Sequence, residues 1–205
     1  MKKINIAVFV SGGGTNLQAL IDAEKSGIIQ SGSIRLVVAS NENAYALTRA
    51  RDNGIPAVCV SKKAYGSAAA VEDRLTRLMR EYHIDLIVLA GYLSILGENF
   101  VKNFDHRILN IHPSLIPSFC GKGFYGLKVH EAALARGVKV TGATVHFVNE
   151  IPDGGDIVLQ KAVPVLEGDT PEILQRRVME QAEWILLPQA VETVSQQLSK
   201  EGERA

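Results

Sequence analysis

The segment Asn110-Ile111-His112-Pro113-Ser114-Leu115 sets an amide and an imidazole two residues apart. On a strand, that spacing turns both side chains to one side. The amide offers two N–H donors, and a protonated imidazole donates from both ring nitrogens. Converging on one point, they would hold the oxyanion of a tetrahedral centre while His112 moves a proton. Pro113 biases His112 towards extended backbone and removes one local donor. A histidine placed before proline for structural reasons would look the same, so this segment alone leaves both readings open.

Two more clusters have the composition of a site. Ser11-Gly12-Gly13-Gly14-Thr15-Asn16 follows an apolar run and precedes a helical pattern. Such a turn lets backbone approach an anion, and the free N–H groups and dipole of the helix start favour a phosphate. The dinucleotide fingerprint fails because its third glycine would fall on Leu17, and the Gly-Lys-Ser/Thr ending of a Walker loop is missing. One phosphate monoester is the better reading; a bare glycine turn is the alternative. Asp153-Gly154-Gly155 is standard turn chemistry. It equally fits an acid facing His112, raising its pKa and fixing its tautomer. The sequence does not choose.

Other candidates are weaker. His83 and His106 sit in polar, surface-like contexts, His146 in an alternating strand and His130 at the start of a helical stretch. No two histidines have metal-ligand spacing, so no metal is expected. Lys122, between two glycines, reads as a loop charge before it reads as a phosphate contact. Trp184, Leu186 and Leu187 read as core. Cys59, in an apolar run, reads as a buried inert thiol, and neither it nor Cys120 belongs to a redox or metal motif.

These clusters need a scaffold that brings strand ends together. Residues 4–10, 34–40, 57–60, 85–91 and 107–111 are short apolar runs of the kind buried on both faces of a parallel sheet. Between them, 15–25, 45–53 and 71–82 have helical periodicity, the last with Leu75, Leu78, Met79 and Tyr82 on one face. Alternation of this kind predicts a single-domain, Rossmann-like, doubly wound α/β sheet with right-handed crossovers. Ligands of such sheets bind beyond the carboxyl ends of the strands, where the strand order switches. From 141–148 and 157–165 the pattern becomes alternating and β-branched, which predicts antiparallel strands added to the sheet. Thr170-Pro171-Glu172 opens a last helix with a cap, a first-turn proline and an acid, and Pro188 is expected to bend or divide it. One domain over 1–199 and a polar tail over 200–205 complete the organisation.

The bulk properties exclude several classes. Of 205 residues, 46% are apolar and 21% charged, with 22 basic and 22 acidic side chains. A neutral chain without basic runs gives no sign of nucleic acid or membrane partners. No apolar run reaches the roughly 18 residues of a membrane helix, and no leader pattern opens the chain. A cytoplasmic protein with small-molecule partners, monomeric or homodimeric, is expected.

The order of the three clusters resembles the phosphoribosylglycinamide formyltransferase family of folate-dependent purine synthesis. The resemblance rests on Val10-Ser-Gly-Gly-Gly-Thr-Asn-Leu-Gln18, Leu89-Ala-Gly-Tyr92, Leu109-Asn-Ile-His-Pro-Ser-Leu-Ile-Pro117, and Thr144-Val-His-Phe-Val148 with Asp153-Gly-Gly155. It implies that Gly14, Thr15 and Asn16 bind the glycinamide ribonucleotide through its 5′-phosphate and that Glu183 contacts its ribose. It also implies that Leu93, Ser94, Ile95, Leu96 and Asn110 line the pocket of the co-substrate 10-formyltetrahydrofolate. Asn110, His112 and Asp153 match the catalytic trio, with Asp153 holding His112 cationic. The chain departs from many relatives at Leu93-Ser94, where they carry Met-Arg, and at Ala68, where they carry a basic residue. The loop 118–127 also differs. Formyltetrahydrofolate hydrolase, the methionyl-tRNA formyltransferase domain and a non-catalytic sugar-phosphate-binding module are the alternatives.

Overall fold

Ile4–Val10 (β1) alternates sharply despite reading as one apolar run. Ile6, Val8 and Val10 pack on one face of the sheet, and Ala7 and Phe9 on the other. Both faces are covered, so the strand needs apolar residues at every position. The computed structural model describes residues 3–202. Its further elements are α1 (Thr15–Lys25), β2 (Gly32–Ala39), α2 (Tyr45–Asp52), β3 (Ala57–Cys59), α3 (Lys62–Tyr65), α4 (Ala68–Glu81), β4 (Leu86–Leu89), α5 (Glu98–Asn103) and β5 (Ile108–His112). The chain continues through α6 (Leu127–Arg136), β6 (Val140–Phe147), β7 (Ile157–Pro164) and α7 (Pro171–Val178). A π-helical turn over Met179–Glu183 then leads into α8 (Trp184–Gly202).

The seven strands form one sheet in the order β3-β2-β1-β4-β5-β6-β7. The first five pair in parallel, and β6 and β7 are added antiparallel, as the change of pattern predicts. Strand order reverses between β1 and β4, which puts the loops after both strands at the switch point. Residues of α1, α2, α6, α7 and α8 cover one face, and those of α4 and α5 the other.

Two short helices, α3 and α5, carry too few apolar positions to show a period. The last helix departs from expectation in a specific way. Pro188 lies inside α8, and the division falls upstream of it, at the π-helical turn. Pro188 removes one i→i−4 hydrogen bond inside α8 without breaking it; the extra residue of the π-turn upstream re-aims the chain. Thr170 caps α7 as expected, its hydroxyl accepting from Ile173 N. α8 runs through Gly202, past the expected start of the tail; residues 203–205 lie outside the described ones. Among the described residues no helix is long and apolar enough to cross a membrane.

The β6–β7 pair sets how the added strands lie. A Cβ on Gly142 would sit 2.0 Å from the Lys161 carbonyl oxygen, so the two backbones pass closer than any side chain allows. Gly142→Ala is expected to cost about 1–3 kcal/mol, read as a lower urea midpoint at unchanged m. Gly202→Ala, with no atom in reach of the added methyl, is expected to stay within about 0.5 kcal/mol.

Candidate active site

Period 2 along β5 puts Asn110 and His112 on the sheet face of Ile108. The antiparallel register of β6 sets His146 directly opposite Asn110 and Thr144 opposite His112. The turn between β6 and β7 then returns Asp153 to the same place. Gly155 is required there because a Cβ would lie 1.9 Å from the Phe147 carbonyl oxygen. Asp153 itself adopts φ 55°, a left-handed conformation uncommon outside glycine, asparagine and aspartate.

The result is a compact polar cluster on one carboxylate. Asp153 Oδ2 accepts from Gly121 N at 2.8 Å and lies 3.6 Å from His112 Nδ1. Asp153 Oδ1 lies 3.4 Å from Asn110 Nδ2 and 3.5 Å from His146 Nε2. His112 Nε2 donates to the Phe119 carbonyl at 2.9 Å. Asn110, His112 and Asp153 are therefore brought together, and the strand-end spacing does turn the amide and imidazole to one side. The expectation that Asp153 holds His112 cationic is corrected by burial. Burial lowers the His112 pKa, and the Asp153 charge and the Phe119 carbonyl oppose it without reversing it. With a side chain only 5% exposed, loss of water outweighs one carboxylate at 3.6 Å.

Two more histidines belong here. His146 lies in an alternating strand, and its placement opposite Asn110 comes from strand register, which the sequence alone does not fix. His130 is fully buried on α6, near enough to His112 for the two charges to repel. Burial first, and then His112, push its pKa down to about 4. His83 and His106 are exposed, as read. Among the described residues no group of three or more His, Cys, Asp or Glu could hold a metal ion.

The second cluster lies at the switch point. Gly14 has φ 73°, and a Cβ there would sit 2.7 Å from Ala46 Cβ, so only glycine fits. The Gly12 and Gly13 carbonyls are taken by Ala46 N and Arg49 Nε. No side chain caps α1, which leaves its first N–H groups for an anion. Asn16 Nδ2 donates to Glu183 Oε2 at 2.7 Å, joining α1 to the π-helical turn across 167 residues of sequence. Glu183 is buried, which raises its carboxyl pKa against the opposing hydrogen bond from Asn16. Ser11 Oγ accepts from Leu93 N at 2.8 Å and so ties the anion loop to the loop after β4.

In that second loop Tyr92 packs edge-on to Phe9. Leu93 is 64% exposed and Ile95 92%, while Leu96 is half-buried. Ala68 is exposed at the first position of α4. The 118–127 loop supplies the Phe119 carbonyl and the Gly121 N–H named above, and Lys122 is exposed in it. The Ile116-Pro117 bond, undetermined by sequence, is cis. Leu186 and Leu187 are core, but Trp184 is only half-buried. It lines a cavity of about 660 Å³ between α1 and α8, together with Thr15, Gln18 and Arg49. Cys59 and Cys120 are both half-buried and unpaired.

The formyl transferase family matches residues 4–191. A chicken (Gallus gallus) trifunctional purine biosynthetic protein adenosine-3 is 43% identical over 201 residues, 98% of this chain and 19% of that protein. A chloroplastic phosphoribosylglycinamide formyltransferase of Vigna unguiculata is 39% identical over 87% of this chain and 57% of its own length. The chain thus spans about a fifth of the first relative and somewhat over half of the second. The crystal structure of glycinamide ribonucleotide transformylase 1 from Symbiobacterium toebii superposes with a TM-score of 0.88 at 43% identity, over 95% of this chain and 88% of that one.

The buried His130 makes stability depend on pH. Its pKa falls from 6.5 unfolded to about 4 folded, so the unfolded state binds more protons in between, and stability falls as pH drops through that window. His130→Met should flatten the slope of unfolding free energy between those two values. Equal slopes in wild type and variant, measured by urea titration at several pH values, would remove His130 as its source.

Proposed function

The chain belongs to the formyl transferase family, and from that membership we propose that it is a phosphoribosylglycinamide formyltransferase. It transfers the formyl group of 10-formyltetrahydrofolate to the glycyl amine of N1-(5-phospho-D-ribosyl)glycinamide in purine synthesis. The observation that carries this reading is the meeting of Asn110, His112 and Asp153 within 3.6 Å at a strand end, in a sheet whose switch point holds an uncapped glycine-rich helix start.

The 5′-phosphate takes the N–H groups at Gly14, Thr15 and Asn16, and Glu183 takes the ribose hydroxyls. Leu93, Ser94, Ile95 and Leu96 line the folate pocket with Asn110. The high exposure of Leu93 and Ile95 supports this, since apolar side chains left in water gain most from a flat ligand. Ser94 and Ala68 offer no cation, so the folate's glutamate tail is recognised differently from relatives with basic residues there.

The glycyl amine attacks the formyl carbon on N10 of the folate. A C–N bond forms, and the carbonyl becomes a tetrahedral oxyanion. Asn110 and His112 stabilise that charge, His112 delivers a proton to N10, and the N10–C bond breaks to release tetrahydrofolate. The amine's surplus proton passes to Asp153 and on to His112 Nδ1, 3.6 Å away, and so replaces the one His112 gives to N10. The His112 Nε2–H now donates to the Phe119 carbonyl, a neutral acceptor weaker than an oxyanion, so the exchange favours the reaction. Burial keeps His112 easy to deprotonate, which makes it a ready proton donor once charged.

Release of tetrahydrofolate from 10-formyltetrahydrofolate, followed with and without the ribonucleotide, tests the assignment. Release that needs the ribonucleotide supports transfer; release without it points to a hydrolase, and ribonucleotide binding without release to a binding module. His112→Ala and Asp153→Asn are each expected to raise the barrier by about 3–4 kcal/mol, with ribonucleotide affinity little changed. Near-normal turnover in either variant removes that residue from the mechanism. Glu183→Gln should act on the other term, raising KM for the ribonucleotide more than it lowers kcat.

A further inference from the structure

His146 Nδ1 lies 2.7 Å from the Phe147 carbonyl oxygen, which can only accept. Nδ1 therefore carries the hydrogen, and the neutral ring presents a bare Nε2. That nitrogen is 3.1 Å from Asn110 Nδ2 and 3.5 Å from Asp153 Oδ1. A hydrogen on Nε2 would point at the carboxylate but would also set donor against donor at the shorter contact. The shorter contact decides for a bare nitrogen that takes one Asn110 N–H.

The amide of Asn110 then has one allowed orientation. Its nitrogen faces two acceptors, His146 Nε2 and the Asp153 carboxylate; the flipped amide would put its oxygen lone pairs against both. One N–H is held by His146, and the other reaches Asp153 at a long 3.4 Å. The looser hydrogen is the one that can turn to an oxyanion beside Asp153 and His112. His146 is 1% exposed and fixed opposite Asn110 by the β5–β6 register, so the acceptor is preorganised rather than recruited.

We infer that His146 is a positioning residue, which by accepting one Asn110 N–H at its bare Nε2 keeps that amide's second N–H aimed at the reacting oxygen. The inference rests on the transferase reading above and acts through Asn110, not through the substrate.

Two measurements test it. Long-range ¹H–¹⁵N NMR on histidine-labelled protein without substrates should show His146 with a protonated Nδ1 and a bare Nε2; a protonated Nε2 at neutral pH overturns the inference. In the transfer assay His146→Leu should lower kcat on the order of 100-fold, the scale of a misplaced catalytic group, with both KM values within about threefold. His146→Gln, whose side-chain oxygen can take the same N–H, should recover about tenfold of that loss. In an Asn110→Ala background the advantage of Gln over Leu should vanish. A Gln variant no better than Leu, or an advantage that survives without Asn110, overturns the inference. Should His146→Leu fail to fold, the NMR result and the Gln comparison with wild type still decide. Absence of transfer in wild type would instead sink the transferase reading, and the NMR result would stand apart from it.

Discussion

The carboxylate of Asp153 is the point on which the site's geometry depends. A largely buried anion is tolerated only where donors replace its water. Here Gly121 N–H and the Asn110 amide supply them, with the His112 and His146 rings within 3.6 Å. Those groups come from β5, β6 and the loop before α6. One small anion therefore ties the loop before α6 to the paired strands β5 and β6. Its left-handed backbone at φ 55° stores some strain, which the surrounding contacts must over-determine.

The same carboxylate also acts on the His112 ring 3.6 Å away. His112 sits where water is excluded, and burial lowers its affinity for a proton more than Asp153 raises it. A histidine in that balance is a stronger acid when charged than a solvated one. In the proposed transfer, burial that works against a resting cation thus favours delivery of the proton to the leaving nitrogen. His130, buried behind it at about 4, stays neutral and adds no competing charge.

The switch point supplies the other half of the site by a different means. The uncapped helix start there presents backbone N–H groups, and its conformation is fixed by Gly14 and by the ties from Ala46 and Arg49 to the loop carbonyls. Glu183 completes it from the far end of the chain, aimed by a π-helical turn and anchored on Asn16. The Ser11 to Leu93 hydrogen bond couples this half to the exposed apolar loop after β4.

What the sequence determined by itself follows from local physics. Runs buried on both faces named the parallel strands, the β-branched alternation of 141–148 named the antiparallel pair, and Thr170 with Pro171 named the start of α7. The glycines of the first loop and the two-residue spacing of Asn110 and His112 were equally legible, because backbone freedom and strand pleat are set by neighbours in the chain. Tertiary structure alone decided the rest. It placed His146 opposite Asn110, because strand register is chosen by the whole sheet. It buried His130, because exposure depends on what packs over a helix, and that burial fixes its charge. It moved the break in the last helix from Pro188 to Met179–Glu183, where packing of the buried Glu183 outweighs a local preference. It also turned the expected cation at His112 into a reluctant one, because desolvation is a property of the folded surroundings and not of the residue.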